Sequence, residues 1–298
     1  MKLYLLPFYT LFLFTMSQVS YAQINLFACE PEWAALAKEL GGNQLHITSA
    51  TTAQQDPHHI QARPSLIAKI RRADMIACTG AELEVGWLPL LLRKSANPKI
   101  QPGEPGHFMA TKQVSLTGKL AVADRSMGDV HAAGNPHIQF DPYRIAKVAQ
   151  AMTARLIEID PDNKAAYENN LNNFITHWQQ SIHQWEQEAA SLRGKSFVAH
   201  HESWPYLIKW LGLKQVAVLE PKPGVPPTTS HLSKVLAKTE KNPPDFIIYA
   251  SYQSDKAAKW LSKKIGKPAI SIPFSVSEDE TLTHWYNTFI HQLSEYDK

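Results

Sequence analysis

Short apolar runs alternate with helical patterns of apolar residues in the first part of the chain. In the first helical pattern, Trp33, Leu36 and Leu40 fall on one face, Pro31 precedes them and Gly41 follows. The runs between the helices have the length and apolar content of buried strands. In chain order the predictions are a strand at 24–29, a helix from 31, a strand at 45–52, a helix at 63–72 and a strand at 75–78. Strands that alternate with helices predict a parallel sheet with helices on both faces.

Two helices are predicted in the middle of the chain. Asp141-Pro142 begins a helix with apolar residues at helical spacing, and Asp160-Pro161 ends it. The next pattern is the longest in the chain and ends before Gly194; its apolar residues are Tyr167, Leu171, Phe174, Trp178, Ile182 and Trp185. About 30 residues at 1.5 Å each give a rod of roughly 45 Å, long enough to run the height of a domain. The pattern indicates a helix that joins two lobes; an ordinary long surface helix is the alternative.

The alternation of strands and helices resumes after Gly194. Strands are predicted at 196–200, 215–219, 246–249 and 269–272, and helices at 204–211, 230–239, 256–265 and 281–296. We therefore predict an α/β fold of two lobes, each a parallel β-sheet flanked by helices, joined by one long inter-lobe α-helix. The predicted boundaries are 23–160 for the N-terminal lobe, 161–193 for the linking helix and 194–298 for the C-terminal lobe.

Residues 1–22 have the pattern of a secretory signal peptide and not of a folded element. Lys2 precedes an apolar run at 3–16, and Ser20-Tyr21-Ala22 places small residues where signal peptidase cleaves. Gln23 follows the predicted cleavage point, where a lipid-anchored lipoprotein would have a cysteine. We expect a periplasmic protein of a Gram-negative cell without a stable membrane anchor. A retained N-terminal anchor is the alternative.

Charge and cysteine content narrow the class of protein. The formal net charge is +3 and like charges do not cluster, so nothing favours nucleic acid or an anionic membrane as a partner. The two cysteines, Cys29 and Cys78, each end an apolar strand-like run. An oxidising compartment permits a disulfide between them. Two buried thiols are the alternative, because a sequence does not give the Cα separation that a bridge requires.

Six of the 13 histidines lie in three groups. The groups are His58-His59, His131 with His137, and His200-His201. The first and third groups follow strands, one in each lobe, and the carboxyl ends of parallel strands face the ligand crevice. Neutral imidazoles that meet in a cleft suit a borderline-soft divalent ion such as Zn²⁺. Unrelated loop histidines are the plainer alternative.

A series of motifs covers most of the chain after residue 22. They are Gln55-Asp56-Pro57-His58 with Arg63-Pro64-Ser65, Ala73-Asp74 with Thr79-Gly80-Ala81-Glu82-Leu83-Glu84, Gly134-Asn135-Pro136-His137 with Asp141-Pro142, His201 with Tyr206 and Trp210-Leu211-Gly212-Leu213, and Pro243-Pro244-Asp245 before Phe246-Ile247-Ile248-Tyr249. In this order they resemble the metal-binding solute-binding proteins of zinc and manganese ABC importers, the TroA-like group or cluster A-I.

The resemblance implies a metal site and a role in transport. It implies His58, His137 and His201 as metal ligands, and its spacing prefers His201 to His200. His59 and His200 are then auxiliary candidates. The resemblance also implies two lobes joined by a single long helix. We expect a monomer that captures the metal ion and delivers it to the membrane permease of an ABC importer.

The chain departs from the family pattern at Val276, where many relatives have an aspartate as the fourth ligand. Valine cannot bind a metal, so His131, Glu278, Asp279 or a water molecule are the candidates for that position. Manganese prefers oxygen ligands, whereas imidazoles suit zinc, with copper and nickel as competitors in raw affinity. The absent carboxylate therefore favours Zn²⁺ over Mn²⁺ as the transported ion.

A zinc-dependent hydrolase is the alternative function, because three imidazoles with a metal-bound water also form catalytic zinc sites. Such an enzyme needs a general base near the metal, as in H-E-x-x-H, and the chain has no such motif. Glu202 is the nearest candidate, and a loop carboxylate or a partner of an imidazole explains it more simply. An exported adhesin is a third class, disfavoured by the missing lipid anchor. We therefore expect a binding protein and not an enzyme.

Overall fold

The computed structural model describes residues 23–122 and 124–296 of the chain. The signal peptide predicted at 1–22 lies outside the described residues. The strands are β1 (Ile24–Ala28), β2 (Leu45–Ser49), β3 (Met75–Cys78), β4 (His107–Met109), β5 (Ser196–Ala199), β6 (Lys214–Val218), β7 (Phe246–Ala250) and β8 (Ala269–Ile272). The helices are α1 (Pro31–Gly41), α2 (Pro64–Arg71), α3 (Leu88–Ser95), α4 (Pro142–Ile159), α5 (Lys164–Glu188), α6 (Pro205–Leu211), α7 (Thr229–Lys241), α8 (Lys256–Ile265) and α9 (Leu282–Ser294). In the described part of the chain, no helix combines the length and apolar character needed to cross a membrane.

The N-terminal lobe contains a four-stranded parallel sheet in the order β2-β1-β3-β4. The strands and helices predicted here are present, although the strand predicted at 45–52 ends at Ser49. Two further elements have a weak sequence signal. Strand β4 has only three residues, and helix α3 is a run of leucines interrupted by Pro89. Together they extend the predicted βαβαβ pattern by one more unit.

The C-terminal lobe has the same arrangement as the N-terminal lobe. Its parallel sheet has the order β6-β5-β7-β8, so the first strand of each lobe lies second in its sheet. All its strands and helices were expected from the pattern of apolar residues. The predicted α/β fold of two lobes, each with a parallel sheet flanked by helices, is confirmed.

Helix α5 joins the two lobes, as predicted. It has 25 residues and is followed by a 3-10 turn at Ala189–Leu192. Near its start, Asn170 Nδ2 donates a hydrogen bond to the carbonyl of Leu40 at the end of α1, at 3.0 Å. Near its end, Trp185 Nε1 donates to Asn287 Oδ1 of α9, at 2.6 Å. The helix is therefore fixed to both lobes.

One hydrophobic cluster continues through both lobes. At its centre, Phe140 from the N-terminal lobe packs against Trp204 from the C-terminal lobe, with ring centroids 4.7 Å apart. Trp185 of the linking helix stacks on Tyr286 of α9, with centroids 4.5 Å apart. Large aromatic side chains contribute much of the burial energy of such a core. Wide separation of the lobes would expose this cluster to water, so we expect their relative movements to be small.

Candidate metal site

Four imidazoles meet between the two lobes. A ring nitrogen from each of His58, His131 and His137, all in the N-terminal lobe, lies within 4.8 Å of the other two. The centroid of the His201 ring, from the loop after β5, lies 5.8 Å from that of His58 and 6.0 Å from that of His137. All four residues are at most 9% exposed. The structure thus brings together the three ligands expected from the sequence and one auxiliary candidate, His131.

His58 is oriented by Asp56, two residues earlier. Asp56 Oδ1 accepts hydrogen bonds from the backbone nitrogen of His58 at 3.0 Å and from its Nδ1 at 2.8 Å. Trp87 Nε1 donates to the carbonyl of Pro57 at 2.8 Å, which holds the loop in place. Burial, the largest single influence, raises the pKa of Asp56, but the hydrogen bonds from the side chain and backbone of His58 and the charges of His58 and His59 together leave that pKa below its ordinary value. Because an ionised carboxylate only accepts, Nδ1 of His58 donates this hydrogen bond, and Nε2 is the ring nitrogen that faces the other imidazoles.

His137 is held by turns on both sides. Asn135 Oδ1 accepts from the backbone nitrogen of His137 at 3.0 Å, and the following turn is anchored by a 2.5 Å hydrogen bond from the Tyr286 hydroxyl to the carbonyl of Gln139. The residue is 1% exposed, and neither ring nitrogen has a hydrogen-bond partner among the described residues. Burial, reinforced by the charge of neighbouring imidazoles, holds the pKa of His137 well below its usual range. Unpaired buried nitrogens are costly, and a metal ion would satisfy one of them.

His201 is oriented by Glu220 in the same way as His58 is by Asp56. Glu220 Oε2 accepts from His201 Nδ1 at 2.6 Å and from the backbone nitrogen of Gly224 at 2.9 Å. His200 lies on the other side of the same carboxylate, with Nε2 3.8 Å from Glu220 Oε1. Within the described residues, the ring contacts of the cluster include His201 but not His200. The geometry therefore favours His201 over its neighbour.

Glu220 is not among the residues singled out from the sequence. A signal for it exists, because it follows strand β6 at the carboxyl end, as His201 follows β5 in the same sheet. The neighbouring strands of a parallel sheet end at the same edge, so a polar residue after each strand is a candidate for the same crevice.

His131 lies against His58. The two Nε2 atoms are 3.2 Å apart and the ring centroids 5.3 Å apart. Next to it, Glu82 Oε2 accepts from the backbone nitrogen of Ala132 at 2.7 Å, which fixes the chain to the N-terminal lobe. Burial, together with the positive charge of nearby imidazoles, lowers the pKa of His131 to about 3. His131 is therefore a neutral imidazole at physiological pH.

The bridging segment, residues 124–131, extends from the N-terminal lobe onto the C-terminal lobe and ends at His131. The carbonyl of Ser126 accepts from Lys222 Nζ at 2.8 Å. The backbone nitrogen of Asp129 donates to the carbonyl of Pro223, also at 2.8 Å. A cavity of about 310 Å³ adjoins this segment and is lined by His131, His137 and His201 together with polar residues such as Asn135 and Glu202. The imidazoles thus face a space between the lobes that the segment helps to enclose.

The remaining candidates from the sequence do not join the cluster. His59 has a side chain that is 63% exposed, and its Nε2 lies 3.3 Å from Asp129 Oδ2. Glu278 and Asp279 are exposed, and the described contacts of the four imidazoles include neither. Val276 is 2% exposed and forms part of the shared hydrophobic cluster. The position expected for a carboxylate is therefore apolar, whereas the imidazole of His131 lies close to those of His58 and His137.

A disulfide joins Cys29 to Cys78 in the N-terminal lobe, with Cα atoms 4.7 Å apart. These residues lie at the carboxyl ends of the paired strands β1 and β3, and both are fully buried. The alternative of two free thiols is therefore excluded. The bridge fixes the edge of the sheet from which the loops of the site emerge.

Three glutamates are buried beside the disulfide: Glu30, Glu32 and Glu84, at 2%, 2% and 3% exposure. Glu84 Oε1 accepts from the backbone nitrogen of Thr79 at 2.7 Å. Glu32 Oε2 accepts from the hydroxyl of Ser275 in the C-terminal lobe at 2.5 Å. Burial raises the pKa of Glu32 and that of Glu84 to about 7 each. The trio therefore retains protons near neutral pH and contributes a contact between the lobes.

Comparison with known proteins places this geometry in a family. The profile of the family described as ZnuA, zinc-uptake complex component A periplasmic, matches residues 27–296. The chain is similar to the zinc-binding lipoprotein AdcA of Streptococcus pneumoniae, with 26% identity over 250 residues that cover 82% of this chain and 49% of AdcA. It is also similar to the high-affinity zinc uptake system protein ZnuA of Bacillus subtilis, with 27% identity over 235 residues that cover 78% of this chain and 70% of that protein. The chain thus spans about half the length of AdcA.

A solved structure supports the fold. The crystal structure of a ZnuA superposes with a TM-score of 0.77 at 19% sequence identity, covering 93% of this chain and all of that one. At this identity the likeness establishes the two-lobed architecture and not the ligands. Because the family profile extends over nearly the whole described chain, this protein belongs to the ZnuA family.

Proposed function

We propose that this protein binds Zn²⁺ between its lobes in the periplasm and delivers the ion to the membrane permease of an ABC importer. The observation that supports this most directly is the convergence of four buried imidazoles from both lobes. The names of both relatives, AdcA and ZnuA, refer to zinc binding or zinc uptake, and neither refers to catalysis. These names support the same substrate here.

We propose His58, His137 and His201 as ligands, with His131 as the fourth. Zinc bonds to imidazole nitrogen are about 2.0–2.1 Å long, so two donors of a tetrahedral site lie about 3.3 Å apart. The Nε2 atoms of His58 and His131 are separated by 3.2 Å, which fits this requirement. Glu278 and Asp279 are exposed, so His131 is preferred to either of them.

The donor atoms support zinc over manganese. Manganese favours carboxylate, carbonyl and water oxygens, and none of the four proposed donors is an oxygen. Copper(II) and nickel(II) bind imidazole strongly but favour square-planar or tetragonal geometry. Four imidazole donors suit the tetrahedral preference of zinc; the ring nitrogens of His58, His131 and His137 already lie close together, and the His201 ring lies next to His58 and His137.

The same donors argue against the hydrolase alternative. A catalytic zinc site keeps one position open for water, whereas a site with four protein ligands is closed. Glu202, the nearest candidate for a general base, is exposed. We therefore propose that the protein has no hydrolytic activity of its own.

We further propose a monomer with its lobes at 23–160 and 194–298 and its link at 161–193. One chain supplies all four imidazoles, so the site does not require a second copy. The contacts of α5 with both α1 and α9 support a link in this region. The periplasmic location rests on the family and on the signal pattern of residues 1–22.

The decisive experiment titrates metal-stripped protein with Zn²⁺ and with Mn²⁺ in the presence of a competing chelator, and assays the same samples for ester and peptide turnover. We expect one tightly bound Zn²⁺ per chain, weak binding of Mn²⁺ and no turnover. Turnover that disappears on chelation would establish the hydrolase. Tighter binding of Mn²⁺ than of Zn²⁺ would contradict the proposed substrate.

A further inference from the structure

Each lobe places one carboxylate directly behind a proposed ligand. Asp56 Oδ1 accepts from His58 Nδ1 at 2.8 Å, and Glu220 Oε2 accepts from His201 Nδ1 at 2.6 Å. The side chain of Glu220 is 9% exposed and that of Asp56 is 34% exposed, so solvent screens their charges less than those of surface groups. Both lie on the side of the imidazole that faces away from the ion.

Among the described side chains, no lysine or arginine forms an ion pair with Asp56 or Glu220. Within the described residues, the ion pairs of Asp56 and Glu220, and those of Asp129 at the mouth of the site, are all with imidazoles. The charges of both carboxylates also act on one side chain, that of Tyr252. Burial, and then the negative charges of Asp56 and Glu220, hold the pKa of Tyr252 well above its usual range. The negative charge of both lobes is therefore available to a bound cation.

Four neutral imidazoles contribute no net negative charge to the site. Imidazole nitrogen suits copper as well as zinc, so a site of this kind also accepts soft monovalent ions such as Cu⁺ and Ag⁺. Coulomb attraction is proportional to the charge of the ion, so nearby carboxylates stabilise a divalent ion by about twice the energy that they contribute to a monovalent one. Two carboxylates also match the charge of one M²⁺ ion.

We propose that Asp56 and Glu220 determine specificity by making the site select divalent over monovalent cations. This inference rests on the proposed zinc site. It assigns to the two carboxylates a role beyond the orientation of His58 and His201, because orientation alone would favour both classes of ion equally. The substrate class is then a divalent, tetrahedrally coordinated ion, and Cu⁺ is a rejected competitor.

The test separates charge from orientation. In the variant D56N/E220Q, each amide keeps an oxygen that accepts the hydrogen bond from Nδ1, while both charges are removed. The matched control D162N/E168Q removes two charges from exposed residues of the link, away from the imidazoles. Each protein is titrated with Zn²⁺ and with Ag⁺, a redox-stable substitute for Cu⁺, in chloride-free buffer with a competing chelator.

We expect D56N/E220Q to lose between about tenfold and 100-fold in Zn²⁺ affinity, the usual effect of changing groups behind metal ligands. The monovalent Ag⁺ loses only half of the electrostatic energy that Zn²⁺ loses. Because affinity depends exponentially on energy, the fold-loss for Ag⁺ is the square root of that for Zn²⁺, about threefold to tenfold. The preference for Zn²⁺ over Ag⁺ should therefore drop by the same threefold to tenfold, and the control should preserve it. Equal losses for the two ions, or an unchanged Zn²⁺ affinity, would overturn the inference.

The two proposals fail in different ways. If the wild-type protein does not bind Zn²⁺, the proposed function fails. If the wild-type protein and the control bind Zn²⁺ tightly while D56N/E220Q loses both ions equally, only the role in specificity fails. If the double variant does not fold, E220Q alone provides the same ratio, with a smaller expected shift because one carboxylate remains.

Discussion

The two lobes have the same strand order but divide the site unequally. Both sheets are parallel, and the order β2-β1-β3-β4 is equivalent to β6-β5-β7-β8. The N-terminal lobe nevertheless supplies three of the four imidazoles, the disulfide and the buried glutamates. The C-terminal lobe supplies one imidazole, His201, with its carboxylate Glu220. The two lobes therefore share their strand order but not the side chains that they contribute to the site.

This difference assigns separate tasks to the lobes. Three nitrogens that lie within 4.8 Å of one another would supply most of the proposed zinc site before the C-terminal lobe takes part. We therefore expect the N-terminal lobe to act as a preformed platform and His201 to complete the coordination. Each of the following variants tests the contribution of one lobe or of the contact between the lobes.

Removing the disulfide should have the largest effect on stability. The bridge closes a loop with a sequence separation of 49 residues, for which chain entropy predicts a contribution of about 4 kcal/mol. The variant C29A/C78A should therefore lose free energy of unfolding by up to about that amount in urea denaturation. Limited proteolysis should cut the N-terminal lobe first. Equal stability of variant and wild type would show that the platform does not depend on the bridge.

Removal of a platform ligand should have the next largest effect. Structural zinc sites with four ligands bind with about 10–16 kcal/mol, or roughly 3 kcal/mol per ligand. H58A and H137A should therefore each lower Zn²⁺ affinity by about 100-fold. His291, an exposed histidine paired with Glu188, provides the control variant H291A. Wild-type affinity in both H58A and H137A would end the proposed site.

Removal of His201, the ligand proposed from the C-terminal lobe, should cost less affinity. H201A leaves the platform intact and water can replace the lost nitrogen, so we expect a loss of about tenfold. Hydrogen exchange should then show zinc-dependent protection confined to the N-terminal lobe, whereas the wild type is protected in both lobes. H200A is the neighbouring control and should change little. A larger loss of Zn²⁺ affinity in H200A than in H201A would show that His200, and not His201, is the ligand.

The smallest expected effect concerns pH. Burial raises the pKa of Glu32 from 4.5 to about 7, so its contribution to stability is complete below about pH 4.5 and is lost as pH rises through 7. Burial lowers the pKa values of His131 and His137, so their contribution to the stability of the fold increases as pH rises. This increase is confined to pH values below about 6.5, the ordinary pKa of histidine. Between pH 6.5 and 8 the metal-free protein should lose on the order of 1 kcal/mol per buried glutamate.

The variant E32Q tests this dependence, since its amide oxygen still accepts from Ser275. It should show a weaker fall in unfolding free energy between pH 6.5 and 8 than the wild type in urea denaturation. E240Q changes an exposed glutamate of the C-terminal lobe and serves as the control. A pH dependence that E32Q leaves intact would assign the effect to another group.

The sequence predicts most of the fold because apolar periodicity is a local signal. The linking helix is visible in the spacing of Tyr167, Phe174 and Trp178, which are all buried. Strand β4 is not, since three residues cannot establish a period. The disulfide depends on the pairing of β1 with β3, and this long-range contact is absent from the local pattern.

The site is only partly predictable for a related reason. His201 follows a strand and so has a defined direction toward the crevice. His131 lies in an irregular segment, where position along the chain does not fix position in space. Val276 is buried at the position where the family resemblance implies a carboxylate, while His131, from a different loop, lies against His58. Such an exchange becomes visible only when both loops are placed together.

The bridging segment has a consequence for the rate at which the ion leaves. The segment carries a proposed ligand, His131, and also the contact between Asp129 and Pro223 that spans the mouth. Displacing it would open the exit and remove one metal bond in a single movement. Residence time would then be set by one local rearrangement and not by separation of the lobes. A permease that pulls on this segment could shorten the lifetime of the complex while the shared hydrophobic core stays closed.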